Sequence, residues 1–296
     1  MSQREFHHHK LGEIHNDFAT RREQRLQKMR ETGALHEVAV PISFKAARES
    51  VIPTVSQVEH IAVPAAEPKR IEGRFRKALM CVPEEISQCC GINVYGRVIK
   101  SFIYSTDVVT IRNCNADAVL AVYPFTCQPA ITQALLTAAE CPVFTGIAGA
   151  TTFGQRSVDL AHFTEMQGAT GVVMNSTAEP ETIRAVSAYV DIPVVVTITN
   201  FDEYVQVRIA SGADIVNVAA GRNTADVVAQ VREAFPGIPI MASGGKTGET
   251  ITATIAAGAD AITWTPPSIV ELEHQLMDAN RALIEPSENE GENASA

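Results

Sequence analysis

The sequence predicts an α/β protein, an eight-stranded parallel (βα)8 barrel with an N-terminal extension. Three observations predict it. Short, almost continuous apolar runs recur along residues 98–276, as strands buried on both faces require. Ahead of those runs two punctuation patterns alternate: a small-residue pair followed by Asp or Thr, and an X-Pro step. Helical patterns fill the gaps, so strand-then-helix units repeat every ~20–27 residues, the spacing of βα units.

The elements follow in order. Residues 1–75 form a polar arm without steady periodicity. Asn16 or Asp17 caps a helix to Arg30, with Gly33 as its stop, but Phe18, Leu26 and Met29 make a thin apolar stripe. Segments 38–42 and 51–55 read as extended and 64–68 as a linker, while the three histidines at 7–9 read as solvated. The barrel is expected over 76–284. Its first strand is 98–104, followed by a short helix capped by Ser105. Segments 78–82 and 92–95 would then pair as a hairpin plugging the bottom of the barrel; a competing reading makes 78–82 the first strand. The remaining strands are 118–123, 143–147, 171–174, 194–198, 215–218, 240–242 and 261–264. Helices are expected over 129–139, 181–190, 201–210, 225–235 and 249–257. The punctuation has a mechanism: a glycine closes each helix in the left-handed conformation, and a proline opens a strand while stopping the helix before it. Residues 285–296 are small, polar and acidic, and are expected to be disordered.

Composition excludes several classes. Of 296 residues 46% are hydrophobic and 20% charged, a globular balance, and no apolar run is long enough to cross a bilayer. The opening MSQREFHHHK has no apolar segment behind it, so no signal peptide is expected. The six cysteines, at 81, 89, 90, 114, 127 and 141, lack CxxC or metal spacing, which fits reduced thiols in a cytoplasmic protein. Net charge is -10, unevenly spread: residues 1–77 carry 14 Lys and Arg against 10 acids, and the rest carries 10 against 24. So acidic a body speaks against nucleic acid as a partner. It also offers the positive arm a surface, on the same or a neighbouring subunit, and a homo-oligomer is expected.

In such a barrel, chemistry sits at the C-terminal ends of the strands. The residues there are mostly hydroxyls and amides, among them Tyr123, Thr145, Asn175, Thr197, Asn217, Ser243 and Thr263, with few acids or bases. No metal ligand spacing and no dinucleotide fingerprint appear, and no metal or cofactor is expected. Asp107 is the best-placed acid or base, with a helix N-cap as its equal alternative. The run 146–156, GIAGATTFGQR, brings Arg156 toward a ligand or is a mobile loop ahead of a helix. Asn175, Asn217 and Arg222 would orient polar groups. The most informative segment is MASGGKTGE at 241–249. Its glycines let backbone amides approach an anion, the next helix presents its positive end, and Lys246 adds a full charge; the alternative is a plain tight turn between strand and helix.

This segment resembles the phosphate loop of the ribulose-phosphate-binding and aldolase-type TIM barrels, in which a Gly-Gly turn after strand seven and a loop after strand eight grip a phosphate. GADAI at 258–262 fits that superfamily too, and the resemblance covers about residues 98–276. It implies a phosphate grip by Ser243, Gly244, Gly245, Lys246 and Thr247, with Ser268 from the following loop. Two departures stand out. The loop after strand eight is Thr265-Pro266-Pro267-Ser268, and prolines have no N–H to give. The lysine that deoxyribose-phosphate aldolases place before Ala-Ser-Gly-Gly is Met241 here, and the sixth strand carries Asn217 where barrel aldolases often hold a Schiff-base lysine. Lys100 and Lys246 are the amines left for such chemistry.

Two readings follow. One is an enzyme acting on a small, polar, phosphorylated metabolite by isomerase, epimerase or lyase chemistry. The other is a barrel that binds a metabolite without turnover, as a sensor or assembly partner.

Overall fold

The computed structural model describes residues 80–149 and 151–284, together with Gln24, Gln27, Lys28 and Glu31, which are helical. The rest of the expected arm, segments 38–42, 51–55 and 64–68, and the tail 285–296 lie outside the described residues.

After a 3-10 turn at Glu84–Gln88 the chain makes β1 (Ile92–Val94) and β2 (Arg97–Ile99), an antiparallel hairpin with Val94 opposite Arg97. Its two loop residues, Tyr95 and Gly96, have φ of 51° and 81°, the turn handedness that matches the twist of paired strands. Asn93 Oδ1 accepts from the Gly96 amide at 2.9 Å and holds the turn.

The barrel follows. Its units are β3 (Ser101–Tyr104) with α1 (Val108–Arg112), β4 (Ala118–Ala121) with α2 (Pro129–Ala138), β5 (Val143–Ala148) with α3 (Gln155–Met166), and β6 (Gly171–Met174) with α4 (Pro180–Tyr189). Then come β7 (Val194–Ile198) with α5 (Glu203–Ala210), β8 (Ile215–Val218) with α6 (Thr224–Ala234), β9 (Ile240–Ser243) with α7 (Gly248–Ala256), and β10 (Ala261–Trp264). All neighbours are parallel and β10 closes on β3, so the fold is a TIM barrel. Contacts divide the chain after Trp264. Thr265–Ala296 is a second unit, whose described part is α8 (Ile269–Ile284) and the turn before it. No helix among the described residues is long and apolar enough to cross a membrane.

Side chains alternate between the two faces of each strand. Phe102, Leu120, Phe144, Val173, Val195, Ile215 and Met241 fill the barrel and pack with Ile92, Val94 and Ile99 of the hairpin, which closes the N-terminal end. The outward set, including Val172, Val196, Val216 and Ile240, packs against Val158, Ile183, Val205 and Val228 of the helices. These are two separate apolar layers, as a filled barrel requires.

Three expectations change in detail. The strand expected over 98–104 breaks at Lys100, because Asp117 Oδ2 accepts from the amides of Lys100 and Ser101 at 2.9 Å each. Its first residues therefore join the hairpin and only Ser101–Tyr104 enters the barrel. Of segment 78–82 residues 80–82 are described, and they form neither a hairpin strand nor the first barrel strand: Met80 makes a single parallel bridge to Cys114. The hairpin plug exists, but its strands are β1 and β2.

The repeated small-residue-Asp punctuation also acquires a role. Asp214 Oδ2 accepts from Val194 N at 2.8 Å, and Asp260 Oδ2 from Ile240 N at 2.7 Å. Each aspartate's own amide donates back to the same residue's carbonyl, at 2.9 and 2.8 Å. Each aspartate thus pins the start of the neighbouring strand. The glycines two residues earlier, Gly212 and Gly258, leave their helices at φ of 130° and 112°, which strains any other residue.

Candidate functional site

The C-terminal mouth is built by the last inward position of each strand. By alternation from the barrel-filling residues these are Tyr104, Val122, Gly146, Asn175, Thr197, Asn217, Ser243 and Thr263. The lining is divided. Strands β7 to β10 each contribute one neutral polar side chain, Thr197, Asn217, Ser243 and Thr263, while β4 and β5 contribute Val122 and Gly146. Asn217 Nδ2 donates to Thr197 Oγ1 at 3.1 Å. Asn217 Oδ1 and Thr263 Oγ1, on residues 5% and 6% exposed, have no hydrogen-bond partner among the described residues.

Several expected site residues meet here and others do not. Asn175 sits just past β6, where its Oδ1 accepts from Ser176 N at 2.7 Å and its side chain fills the space that Gly149 leaves open. Arg156, Arg222 and Lys246 are exposed after β5, β8 and β9. Asp107 is the N-cap of α1: its Oδ1 accepts from Thr110 N at 2.9 Å. Lys100 is the clear correction. It precedes β3 at the opposite end of the barrel, and its ammonium donates to Ser87 O at 2.8 Å. It shares no site with the strand ends.

The glycine loop after β9 is shaped as much by packing as by any ligand. A Cβ at Gly244 would press on Ile251 and Ile262, and Gly245, at φ 82°, yields its space to the Thr250 side chain. Thr247 caps α7 in a reciprocal box, its Oγ1 accepting from Thr250 N and its N donating to Thr250 Oγ1, both at 3.3 Å. A Cβ at Gly248 would fall on the Glu85 carboxylate, so an acid of this chain already borders the first turn of α7. Ser268 belongs to the second unit. Its amide and hydroxyl donate to Glu271 Oε2 at 2.7 and 2.9 Å, so its N–H is engaged in the cap of α8. Lys246 and the Gly245 and Lys246 amides remain as the loop's donors toward an anion.

Of the 146–156 run, the described residues include the end of β5, the pair Gly149 and Thr152, which exchange backbone bonds of 2.8 and 2.9 Å, and the start of α3. Thr126 and Thr151 hydroxyls meet at 2.8 Å. Cys127, whose thiol burial pushes upward in pKa, donates to Gly146 O at 2.9 Å and remains a thiol at neutral pH. The six cysteines are free, and no group of three metal-ligating side chains occurs among the described residues.

One residue escaped the sequence reading. Arg208 on α5 is 1% exposed and donates to Ala178 O at 2.8 Å, Thr197 O at 3.2 Å and Asn175 O at 2.8 Å. It clamps the ends of β6 and β7 from behind the mouth. The signal was present: with Val205 and Ile209 it occupies the i, i+3, i+4 stripe of α5, the buried face of a helix.

No protein-family model matches the chain, and no curated protein does. Solved structures do match. A mandelate oxidase variant with 2-hydroxy-phenylacetamide has a TM-score of 0.50 and 14% identity, over 60% of this chain and 68% of that one. Mandelate oxidase with benzoyl-formic acid gives 0.49 and 14% over the same shares. Phosphonopyruvate hydrolase in complex with oxalate and magnesium gives 0.48 and 12%, over 62% and 80%. At such identities the likeness is one of fold alone.

Proposed function

We propose that the protein is an enzyme acting on a small, polar, phosphorylated metabolite at the C-terminal mouth, by isomerase, epimerase or lyase chemistry. The observation that carries this reading is the exposed set Arg156, Arg222 and Lys246 around a neutral polar lining, in a body otherwise rich in acids. An anion entering the mouth meets those cations first, and electrostatic attraction speeds and orients its approach. Lys246 with the Gly245 and Lys246 amides holds the phosphate, while Asn175 and Asn217 orient the remainder. Asp107 has one oxygen in its helix cap; its other oxygen moves the proton.

A second reading is favoured by a specific observation. Among the described residues, Tyr104 is the one titratable side chain of the inner layer, so the barrel also suits a binding protein that turns nothing over. A thermal-shift screen of phosphorylated metabolites finds the ligand, since binding raises apparent stability by mass action. Lys246→Ala is expected to weaken that ligand by ~1–3 kcal/mol, the scale of a charge-assisted hydrogen bond. NMR of the ligand incubated with protein separates the readings: product formation supports the enzyme, an unchanged spectrum the sensor. The arm completes the proposal as an oligomer contact. Deleting residues 1–70 should lower the mass measured by light scattering, and an unchanged mass and melting temperature would remove that role.

A further inference from the structure

We propose that the floor of the mouth reads hydroxyl groups, and that Asn217 sets its specificity. This rests on the reading of the mouth as a metabolite site and goes further, to the chemistry of the group that reaches the bottom. Four adjacent strands, β7 to β10, offer Thr197, Asn217, Ser243 and Thr263 to one side of the mouth. None of the four carries a charge at neutral pH. The amide nitrogen of Asn217 is committed to Thr197 Oγ1 at 3.1 Å, which turns its oxygen the other way. That oxygen and Thr263 Oγ1 are buried and have no partner among the described residues.

An amide oxygen is an acceptor only. A buried acceptor without a donor is destabilising, and folded proteins retain few of them. Beneath Asn217 lies the apolar filling of the barrel, with Met241 beside it in register and Ile215 one turn of the pleat below. A donor therefore has to come from the mouth. Hydroxyls satisfy both atoms: one donates to Asn217 Oδ1, and a second donates to or accepts from Thr263 Oγ1. A carboxylate or phosphate oxygen would set acceptor against acceptor at Asn217. The ligand class for the floor is thus a neutral, hydroxyl-bearing group with two neighbouring hydroxyls, and an anionic group is refused there.

Two measurements on the full chain test this. The first needs no ligand. Asn217→Leu removes the unmet acceptor at nearly constant volume, so the melting temperature should rise by a few degrees. A fall would mean that the amide holds the structure together, and the proposal would be wrong. The second follows the Asn217 side-chain NH2 and the Thr197 and Thr263 methyl signals by NMR, titrating erythritol, malonate and inorganic phosphate separately. Erythritol should shift these signals, and Asn217→Leu should raise its apparent Kd at least tenfold; malonate and phosphate should leave them in place. If malonate or phosphate shifts them and erythritol does not, the floor proposal falls while the metabolite site stands. If no probe moves any signal at the mouth, the metabolite site itself falls, and this proposal with it.

Discussion

At the N-terminal end of the barrel Asp117, Asp214 and Asp260 each accept from the first amides of a neighbouring strand, at 2.7–2.9 Å. At the C-terminal end Asn217 Oδ1 and Thr263 Oγ1, though buried, meet no donor among the described residues. The two ends use similar polar side chains under opposite rules. Charged groups at the base serve the fold, and they are tied to backbone at fixed positions. Neutral groups at the mouth are left partly unsatisfied, a cost that proteins tolerate where a ligand supplies the missing partner. Unpartnered buried atoms also occur away from the mouth, at Thr145, Ser157, His162 and Gln167, so neither polarity nor its lack of a partner marks a site alone; the two together at the strand ends do.

Arg208 is where this division is easiest to break. It lies behind the mouth yet obeys the rule of the base, with its guanidinium bonded to three carbonyls. Arg208→Met should cost about 3–5 kcal/mol, because the carbonyls of Ala178 and Thr197 lose the guanidinium as donor in a buried setting and Asn175 O is left with the Ala178 amide alone. Urea unfolding measures it. A loss below about 1 kcal/mol, within the range of ordinary surface changes, would mean that the mouth is not braced from this side.

The base offers the next largest effect. Asp260 pairs with Arg232 at 2.6 Å and accepts from Ile240 N. Asp260→Ala should cost about 1–3 kcal/mol, as it leaves the Ile240 amide without its acceptor and takes the carboxylate from Arg232, whose guanidinium keeps the carbonyls of Pro236, Ile238 and Gly258. NMR signals of Thr197, Asn217 and Thr263 should stay in place. Movement at the mouth would show that the two ends are not independent.

Much of this division was legible in the sequence, and the limits are physical. The apolar runs and their punctuation reveal the barrel because parallel strands buried on both faces must be apolar throughout. The Asp of each Gly-Ala-Asp step was visible as a pattern, but its partner is an amide about 20 residues back, which local periodicity cannot show. Lys100 looked like part of a strand because VIKSFIY is apolar enough to run on; Asp117, a residue distant in sequence, breaks it. Thr197, Asn217, Ser243 and Thr263 were found by position at strand ends. Which of their atoms lack partners depends on neighbours across strands, and no spacing rule carries that. Thr247 and Ser268 looked like phosphate donors because the caps that engage them are side chains three residues on, Thr250 and Glu271.

The base also predicts a response to pH. Burial, then the neighbouring Cys90, pushes the Cys89 thiol up to about 11 from 9.0, with Lys100 opposing. The folded state then holds a proton that the unfolded state releases between those values, so the contribution is complete below pH 9 and lost as pH rises toward 11. The loss should reach about 2 kcal/mol, because holding a proton tenfold more tightly is worth about 1.4 kcal/mol and solvent screens part of the difference. Urea midpoints measured from pH 8 to 11 should fall, and Cys89→Ala should flatten the decline. A fall of equal size in that variant would assign it to other groups.

The smallest effect decides how the two ends meet in a single loop. Lys246 and Thr247 are adjacent, yet the structure gives them different duties. Thr247 satisfies the first turn of α7 through its exchange with Thr250, and Lys246 makes no such cap. Thr247→Ala should therefore cost about 1 kcal/mol of stability, the usual worth of an N-cap hydroxyl, and Thr247→Ser should restore most of it. Affinity for a phosphorylated ligand should be nearly unchanged in both. Lys246→Ala should do the reverse, weakening the ligand while leaving the urea midpoint where it was. If Thr247→Ala instead weakens the ligand with stability intact, the cap opens when the ligand binds, and the loop after β9 belongs wholly to the mouth.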